Sequence, residues 1–277
     1  MTKDILLTFV SLVAMAVSTA AAADQTPESA PKPTLFLIGD STVNNGTKGL
    51  QGWGKPIAAL FDENKIKVEN RARGGRSSRT YLTEGLWKEV LDAIKPGDFL
   101  LMQFGHNDGG GFSDPKNRAS VKGVGNETQT VTNKTTGATE EVHSYGWYLR
   151  TYVSEAKAKG ATPIVLSPIP RNIWKDGKVG RASGDYGKWA SEVAKAEGVP
   201  FVDLNEIVAR HYEEIGQTNV AEKFFGPTDH THTTPAGAEL NAACVVEGIR
   251  GLKDCPLSKF LKSDAAKAPE SVAPTSH

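Results

Sequence analysis

Cysteine is scarce: the 277-residue sequence holds two, Cys244 and Cys255. Two thiols exclude a small scaffold stapled by several disulfides and any multi-cysteine metal cluster. In an exported chain a close, even pair predicts one disulfide, with two buried free thiols as the alternative. An excess of either charge is absent as well, since Lys plus Arg and Asp plus Glu both number 32. No global field draws such a chain to a polyanion such as nucleic acid or to an anionic membrane surface, so a neutral or small-molecule partner is expected. Aromatic residues make up only 8% of a chain that is 39% hydrophobic. That is enough apolar material for one sizeable core and not for two independent ones. A bilayer-spanning run is missing too, because the N-terminal apolar stretch Ile5–Val17 falls short of the roughly 20 residues required.

What that stretch does resemble is an export signal. Lys3 precedes it, and Ser-Thr-Ala-Ala-Ala-Ala follows at 18–23, small residues suited to cleavage after Ala23. The expectation is a signal peptide over 1–23, a secreted or periplasmic protein, and no stable membrane association once the signal is removed. A Pro-rich lead-in (24–33) and a polar Ala/Pro/Ser tail (263–277) bracket a single domain over 34–262.

Within that domain short apolar runs alternate with amphipathic stretches. Residues 34–39, 65–70, 98–105, 162–170 and 199–204 read as strands, several of them continuously apolar. Such runs suit a parallel sheet buried on both faces. Helices are expected over 53–63, 78–94, 145–159, 185–197, 204–215 and 235–250, the last with Thr234 as N-cap and Pro235 at its first position. The fold class is α/β: a three-layer α/β/α sandwich with a central parallel sheet, doubly wound and flavodoxin-like. The polar segment 109–144 is too long for an ordinary connection, and "ETQTV", "NKTTG" and "ATEEV" within it read as a hairpin.

Ligands of open parallel sheets bind beyond the carboxyl ends of the strands. Ser41 stands at such an end, as do Gly74 and Gly75, Asn107, and Arg171, Asn172 and Trp174 after later strands. The plain alternative for "GDS" is an Asx turn that only shapes the chain. A nucleophilic serine needs a base, an acid to orient the base, and donors for an oxyanion. "DHTH" (229–232) offers both partners in one loop, because Asp229, with two residues between it and His232, can reach Nδ1 and leave Nε2 for the serine. The His230-x-His232 string suggests zinc, but no third ligand is identifiable among His106, His143 and His211, so no metal and no cofactor are expected. A Gly-x-Ser-x-Gly elbow is absent, which argues against the other large serine-esterase fold.

"GDST" (39–42), "GGRSSRTY" (74–81), "FGHND" (104–108) and "DHTH" (229–232) resemble, in order, the four sequence blocks of the GDSL or SGNH hydrolases. The resemblance implies Ser41 as nucleophile, His232 as general base and Asp229 as its orienting carboxylate. It also implies an oxyanion hole of the Ser41 and Gly75 backbone N–H groups and the Asn107 side-chain amide. His106 then braces the oxyanion loop. With "SPIPRNIW" downstream, the blocks look most like rhamnogalacturonan acetylesterases and related pectin or xylan acetylesterases. The function this implies is removal of O-acetyl groups from an acetylated plant polysaccharide or oligosaccharide by a monomeric enzyme. Trp53 and Trp174 are candidates for stacking on sugar faces. Arg76, Arg79 and Arg171 are candidates for uronate carboxylates, with local salt bridging as the alternative. The competing readings are an esterase for xylan acetyl groups or for lipid, aryl or thioester substrates, and a non-catalytic sugar-binding protein.

Overall fold

Leu35 and Leu37 enter one apolar core and Phe36 and Ile38 enter another, all four within the strand β1 (Thr34–Gly39). Side chains alternate along a strand, so a continuous apolar run is what burial between two helical layers demands. The computed structural model describes residues 31–112, 116–134, 136–181, 184–263 and 265. The expected signal segment, residues 24–30 of the lead-in and nearly all of the tail lie outside them. After β1 come β2 (Lys67–Asn70), α1 (Ser78–Thr83), α2 (Leu86–Ala93), β3 (Phe99–Gln103), β4 (Thr128–Thr132), β5 (Thr139–His143), α3 (Tyr145–Ala158) and β6 (Thr162–Leu166). The chain continues through β7 (Trp174–Lys175), β8 (Lys178–Val179), α4 (Tyr186–Glu197), β9 (Phe201–Val202), α5 (Leu204–Ile215), α6 (Gln217–Phe224) and α7 (Pro235–Gly251).

Five strands pair in parallel in the order β2-β1-β3-β6-β9. This is the flavodoxin-like winding, and its switch point lies between β1 and β3, where a crevice opens at their carboxyl ends. On one face Leu101, Ile164 and Leu166 pack with Val208 of α5 and Val245 and Val246 of α7. On the other, Leu100, Met102 and Val165 pack with Tyr81 of α1, Val90 of α2, Tyr152 of α3 and Val193 of α4. Tyr152 sets α1 in place: its ring meets Trp87 edge-on at 5.0 Å between centroids, and its hydroxyl donates to the Ser78 carbonyl.

The strand expected over 199–204 shortens to Phe201–Val202, and three further expected elements differ. The helix expected over 53–63 is a short 3-10 turn, Pro56–Leu60. The Trp53 and Gly54 N–H groups instead donate to the Thr42 and Val43 carbonyls at 3.0 and 2.9 Å. A Cβ at Gly52 would stand 2.2 Å from the Val43 carbonyl carbon, so tight docking of this backbone on the Ser41 loop overrides helical propensity. The helix expected over 78–94 is broken at Gly85, whose φ of 79° belongs to the left-handed region. The strand begun at Thr162 ends at Leu166, ahead of Pro168 and Pro170, which have no N–H to pair. The hairpin expected in the 109–144 segment is present as antiparallel β4 and β5. Helix α6 and the hairpin β7–β8 are additional.

The expected disulfide is not formed. Cys244 and Cys255 are free and buried, and each fills core space as a small apolar side chain. Burial pushes both thiols above their ordinary range.

Candidate active site

Directly beyond β1, Asp40 builds a tight turn. Its Oδ1 accepts from the Thr42 N–H at 2.8 Å and the Thr42 hydroxyl at 2.7 Å, and its carbonyl accepts from the N–H groups of Val43 and Asn44. The Asx turn is therefore real, and it carries Ser41 at its apex. Beneath it, Gln103 Nε2 donates to Thr42 Oγ1 at 2.5 Å and Gln103 Oε1 accepts from Trp53 Nε1 at 3.0 Å. Trp53 is fully buried. It is a support for the serine turn rather than a sugar platform, which corrects the expectation.

Ser41 Oγ lies 2.7 Å from His232 Nε2, and His232 Nδ1 lies 2.7 Å from Asp229 Oδ2. Asp229 Oδ1 accepts from the backbone N–H groups of Thr231 and His232 at 2.8 and 2.9 Å. Partial burial works to raise the Asp229 pKa, but these backbone donors and the imidazole outweigh it and hold the carboxyl below its usual range. The loop is tied down on both sides: Asn172 N–H donates to the His230 carbonyl at 2.8 Å, and Gln51 N–H donates to the Thr233 carbonyl at 2.8 Å. One carboxylate thus sets both the ring's orientation and the conformation of the loop that carries it. His232 remains partly exposed, so water and a substrate have access.

The second block approaches the serine closely, since a Cβ on Gly74 would lie 3.6 Å from Ser41 Cβ. Gly75 has φ 79° and open space where a side chain would project. Among the described residues, neither the Ser41 nor the Gly75 N–H has a hydrogen-bond partner. Asn107 is fixed from both ends: Nδ2 donates to the Arg76 carbonyl at 2.9 Å and Oδ1 accepts from Arg118 Nη1 at 2.6 Å. An amide nitrogen carries two protons, so one N–H of Asn107 remains for a ligand oxygen. The Ser41 and Gly75 N–H groups and the remaining Asn107 N–H are neutral donors of the kind that stabilises an oxyanion.

Its neighbours brace the site. His106 Nε2 donates to the Ile169 carbonyl at 2.9 Å, and Nδ1 lies 3.3 Å from Asp40 Oδ2. Burial works to raise the Asp40 pKa, yet His106 and the Thr42 donors hold the carboxyl below its usual range. The loops bearing Ser41 and Asn107 are joined through this pair. Asp108, fully enclosed, accepts from Ser78 N–H at 3.1 Å, from Ser78 Oγ at 2.5 Å and from Ser120 Oγ at 3.1 Å. Burial pushes its pKa up to about 6 against those donors, and the nearby Asp40 adds to the rise.

The candidate substrate residues divide. Arg79 is buried and pairs with Glu140 of β5 and the Ala119 carbonyl, which fastens the hairpin onto α1. Arg76 pairs with Glu84 at 2.8 Å and donates to the Gly74 carbonyl. Both arginines serve local structure, contrary to the uronate expectation. Trp174 is half-buried against the core, with its indole N–H on Asn172 Oδ1 at 2.7 Å. Arg171 faces the site: its guanidinium donates to Thr231 Oγ1 in the histidine loop and to the His106 carbonyl in the asparagine loop. Sequence reading missed Gln103, Asp108 and Arg118. Asp108 directly follows the asparagine of the third block and was within reach of it; Gln103 and Arg118 carry no local signal. Among the described residues no group of three or more His, Cys, Asp or Glu side chains stands where it could hold a metal.

Comparison with known proteins agrees with this geometry. Residues 37–240 match the GDSL-like Lipase/Acylhydrolase family. The chain is 34% identical over 222 residues to a rhamnogalacturonan acetylesterase of Emericella nidulans, covering 80% of this chain and 86% of that one. It is 33% identical over 223 residues to the probable rhamnogalacturonan acetylesterase YesY of Bacillus subtilis, covering 79% and 93%. The same fold occurs in Axe2, an acetylxylan esterase from Geobacillus stearothermophilus, with TM-score 0.55, 18% identity and coverage of 83% and 97%. In its sequence blocks and its sheet alike, the chain belongs to the GDSL-like lipase/acylhydrolase family and is a carboxylic ester hydrolase.

Proposed function

We propose that this protein is an exported serine esterase that removes O-acetyl groups from a plant cell-wall polysaccharide, pectic rhamnogalacturonan being the substrate class its relatives favour. The observation that carries the reading is the continuous chain from Ser41 Oγ through His232 to Asp229, 2.7 Å at each link. As Ser41 Oγ attacks the acetyl carbonyl carbon, His232 Nε2 takes its proton, and Asp229 holds Nδ1–H and stabilises the imidazolium. The carbonyl oxygen becomes an oxyanion that accepts from the N–H groups of Ser41, Gly75 and Asn107. Collapse breaks the bond to the sugar oxygen, which leaves with the proton from His232, and Ser41 keeps the acetyl group. Water, deprotonated by His232, then attacks this acetyl-enzyme; acetate departs and Oγ recovers its proton.

A short acyl group and a polar leaving group suit the surroundings. A groove of about 500 Å3 beside the histidine loop is lined by Asn172, Glu222, Thr228, Asp229 and His230 together with Ala221, Phe225 and Pro227. Among the described residues Ile173 is the one large apolar side chain that is exposed. A long alkyl chain laid there would strand these polar groups without partners, at a cost of roughly 1–3 kcal/mol each. Curated relatives near one-third identity are rhamnogalacturonan acetylesterases by name, which supports a pectic over a xylan target. Acetate release from acetylated rhamnogalacturonan, homogalacturonan and xylan tests the reading. The first should be fastest; preference for xylan would move the target, and preference for octanoate esters would remove the carbohydrate reading.

A further inference from the structure

Beside Asn107 a second pocket, of about 310 Å3, is bounded by Asn107, Gly109, Arg118, Arg171 and Tyr186 among others. Its lining contains two guanidinium groups and, among the described residues, no carboxylate. Arg118 donates to Asn107 and so belongs to the support of the oxyanion amide. Arg171 is differently placed. Both of its hydrogen bonds go to neutral oxygens, Thr231 Oγ1 and the His106 carbonyl, so among the described residues its charge meets no counter-ion. An arginine fork carries five N–H donors in a plane, and those not used here remain for a ligand. Tyr186 supplies an independent sign. Only 5% of the residue is exposed, and its hydroxyl is buried with no hydrogen-bond partner among the described residues. Native proteins rarely leave such a group unpaired, and each instance calls for an explanation.

A guanidinium with no counter-ion among the described residues, an unpartnered hydroxyl and a position next to the oxyanion amide are complementary to an anion on the molecule being deacetylated. We propose that this pocket is the subsite for a carboxylate of the substrate chain, a uronate neighbouring the acetylated sugar. The inference rests on the polysaccharide acetylesterase reading and deepens it. Arg171 links the loop of Asn107 to the loop of His232 through His106 and Thr231. A carboxylate seated on its fork is therefore held between the oxyanion donors and the base, where binding of a remote group aligns the ester with Ser41. Charge-assisted, bidentate pairing gives the site selectivity for a planar carboxylate over a hydroxymethyl group at the same sugar position.

The test compares acetylated rhamnogalacturonan with the same polymer after its carboxyl groups have been reduced to alcohols. Wild-type kcat/KM should fall about tenfold or more on the reduced polymer, the loss expected for one charge-assisted contact. Galacturonate should inhibit hydrolysis of 4-nitrophenyl acetate, with galactose far weaker. Acetate inhibiting as strongly as galacturonate would assign the pocket to the released acid and overturn the uronate subsite. Arg171→Gln should bring the native-to-reduced ratio of kcat/KM toward one. Tyr186→Phe, which disturbs no hydrogen bond within the described chain, should lower the ratio by a smaller factor. Equal wild-type rates on the two polymers, or a ratio unchanged in both variants, overturns the subsite while leaving the acetylesterase reading intact. Hydrolysis of the aryl acetate with no acetate released from either polymer would overturn that reading and the subsite with it.

Discussion

Ser41 and His232 stand 191 positions apart in the chain, with Oγ and Nε2 at 2.7 Å. The contact exists because the first strand and the last helix deliver their flanking loops to the same end of the sheet. Ser41→Ala should lower kcat for 4-nitrophenyl acetate by at least about 10⁴-fold, since nucleophile and base act as a unit. Thermal unfolding should be nearly unchanged, because only a hydroxyl is removed. Retention of a tenth of wild-type activity would sink the assignment.

Asn107→Ala removes one of the three donors proposed for the oxyanion. The expected loss is about 10²- to 10³-fold in kcat, with KM little altered, because the interaction strengthens as negative charge develops. A loss confined to KM would show that Asn107 holds the ground state instead.

Trp53 should behave as a support, not as a sugar platform. Trp53→Phe strands the buried Gln103 Oε1, and an unsatisfied buried acceptor costs roughly 1–3 kcal/mol. Denaturant midpoints should fall and kcat should drop through the loosened Thr42–Asp40 turn, whereas KM for polymer should hold. A raised polymer KM with unchanged stability would restore the stacking role.

Asp108 makes stability depend on pH in a definite direction. Its folded pKa, pushed up to about 6, exceeds that of the unfolded carboxyl, near 4. Between those values the folded chain binds more protons than the unfolded one, so this group's contribution to stability declines as pH rises through the window. The slope approaches about 1.4 kcal/mol per pH unit at most. Asp108→Asn keeps an oxygen for Ser78 and Ser120 and should flatten that slope while improving stability at pH 7 relative to wild type. Urea midpoints at pH 4.5, 5.5, 6.5 and 7.5 measure the difference; parallel profiles for the two proteins would show that Asp108 does not titrate there.

The cysteines should register as thiols. Unfolding without reductant should release two groups reactive with a thiol reagent, and dithiothreitol should leave the wild-type Tm where it was. A Tm lowered by reduction would indicate a bridge.

The layer architecture and the positions of Ser41, Asp229, His232, Gly75 and Asn107 were legible in the sequence because local physics writes them there. Buried parallel strands must be continuously apolar, polar residues at their carboxyl ends form the rim, and an Asp three positions before a His can orient it within one turn. The hairpin β7–β8 was not anticipated, although its Asp176–Gly177 turn, where both residues take positive φ, is of the type that joins tight hairpins. Which rim residues meet substrate was not legible. Trp53, Arg76, Arg79 and Arg171 look alike as exposed-loop candidates, and only long-range contacts separate them: Gln103, 50 positions away, claims the tryptophan, and Glu140, 61 positions away, claims Arg79. The disulfide failed for the same reason, since spacing says nothing about where two side chains point once a helix has turned one of them into the core. Composition and local pattern determined the scaffold and the polar rim at its strand ends; tertiary packing decided which charges were already neutralised and which, like Arg171, were left facing the site.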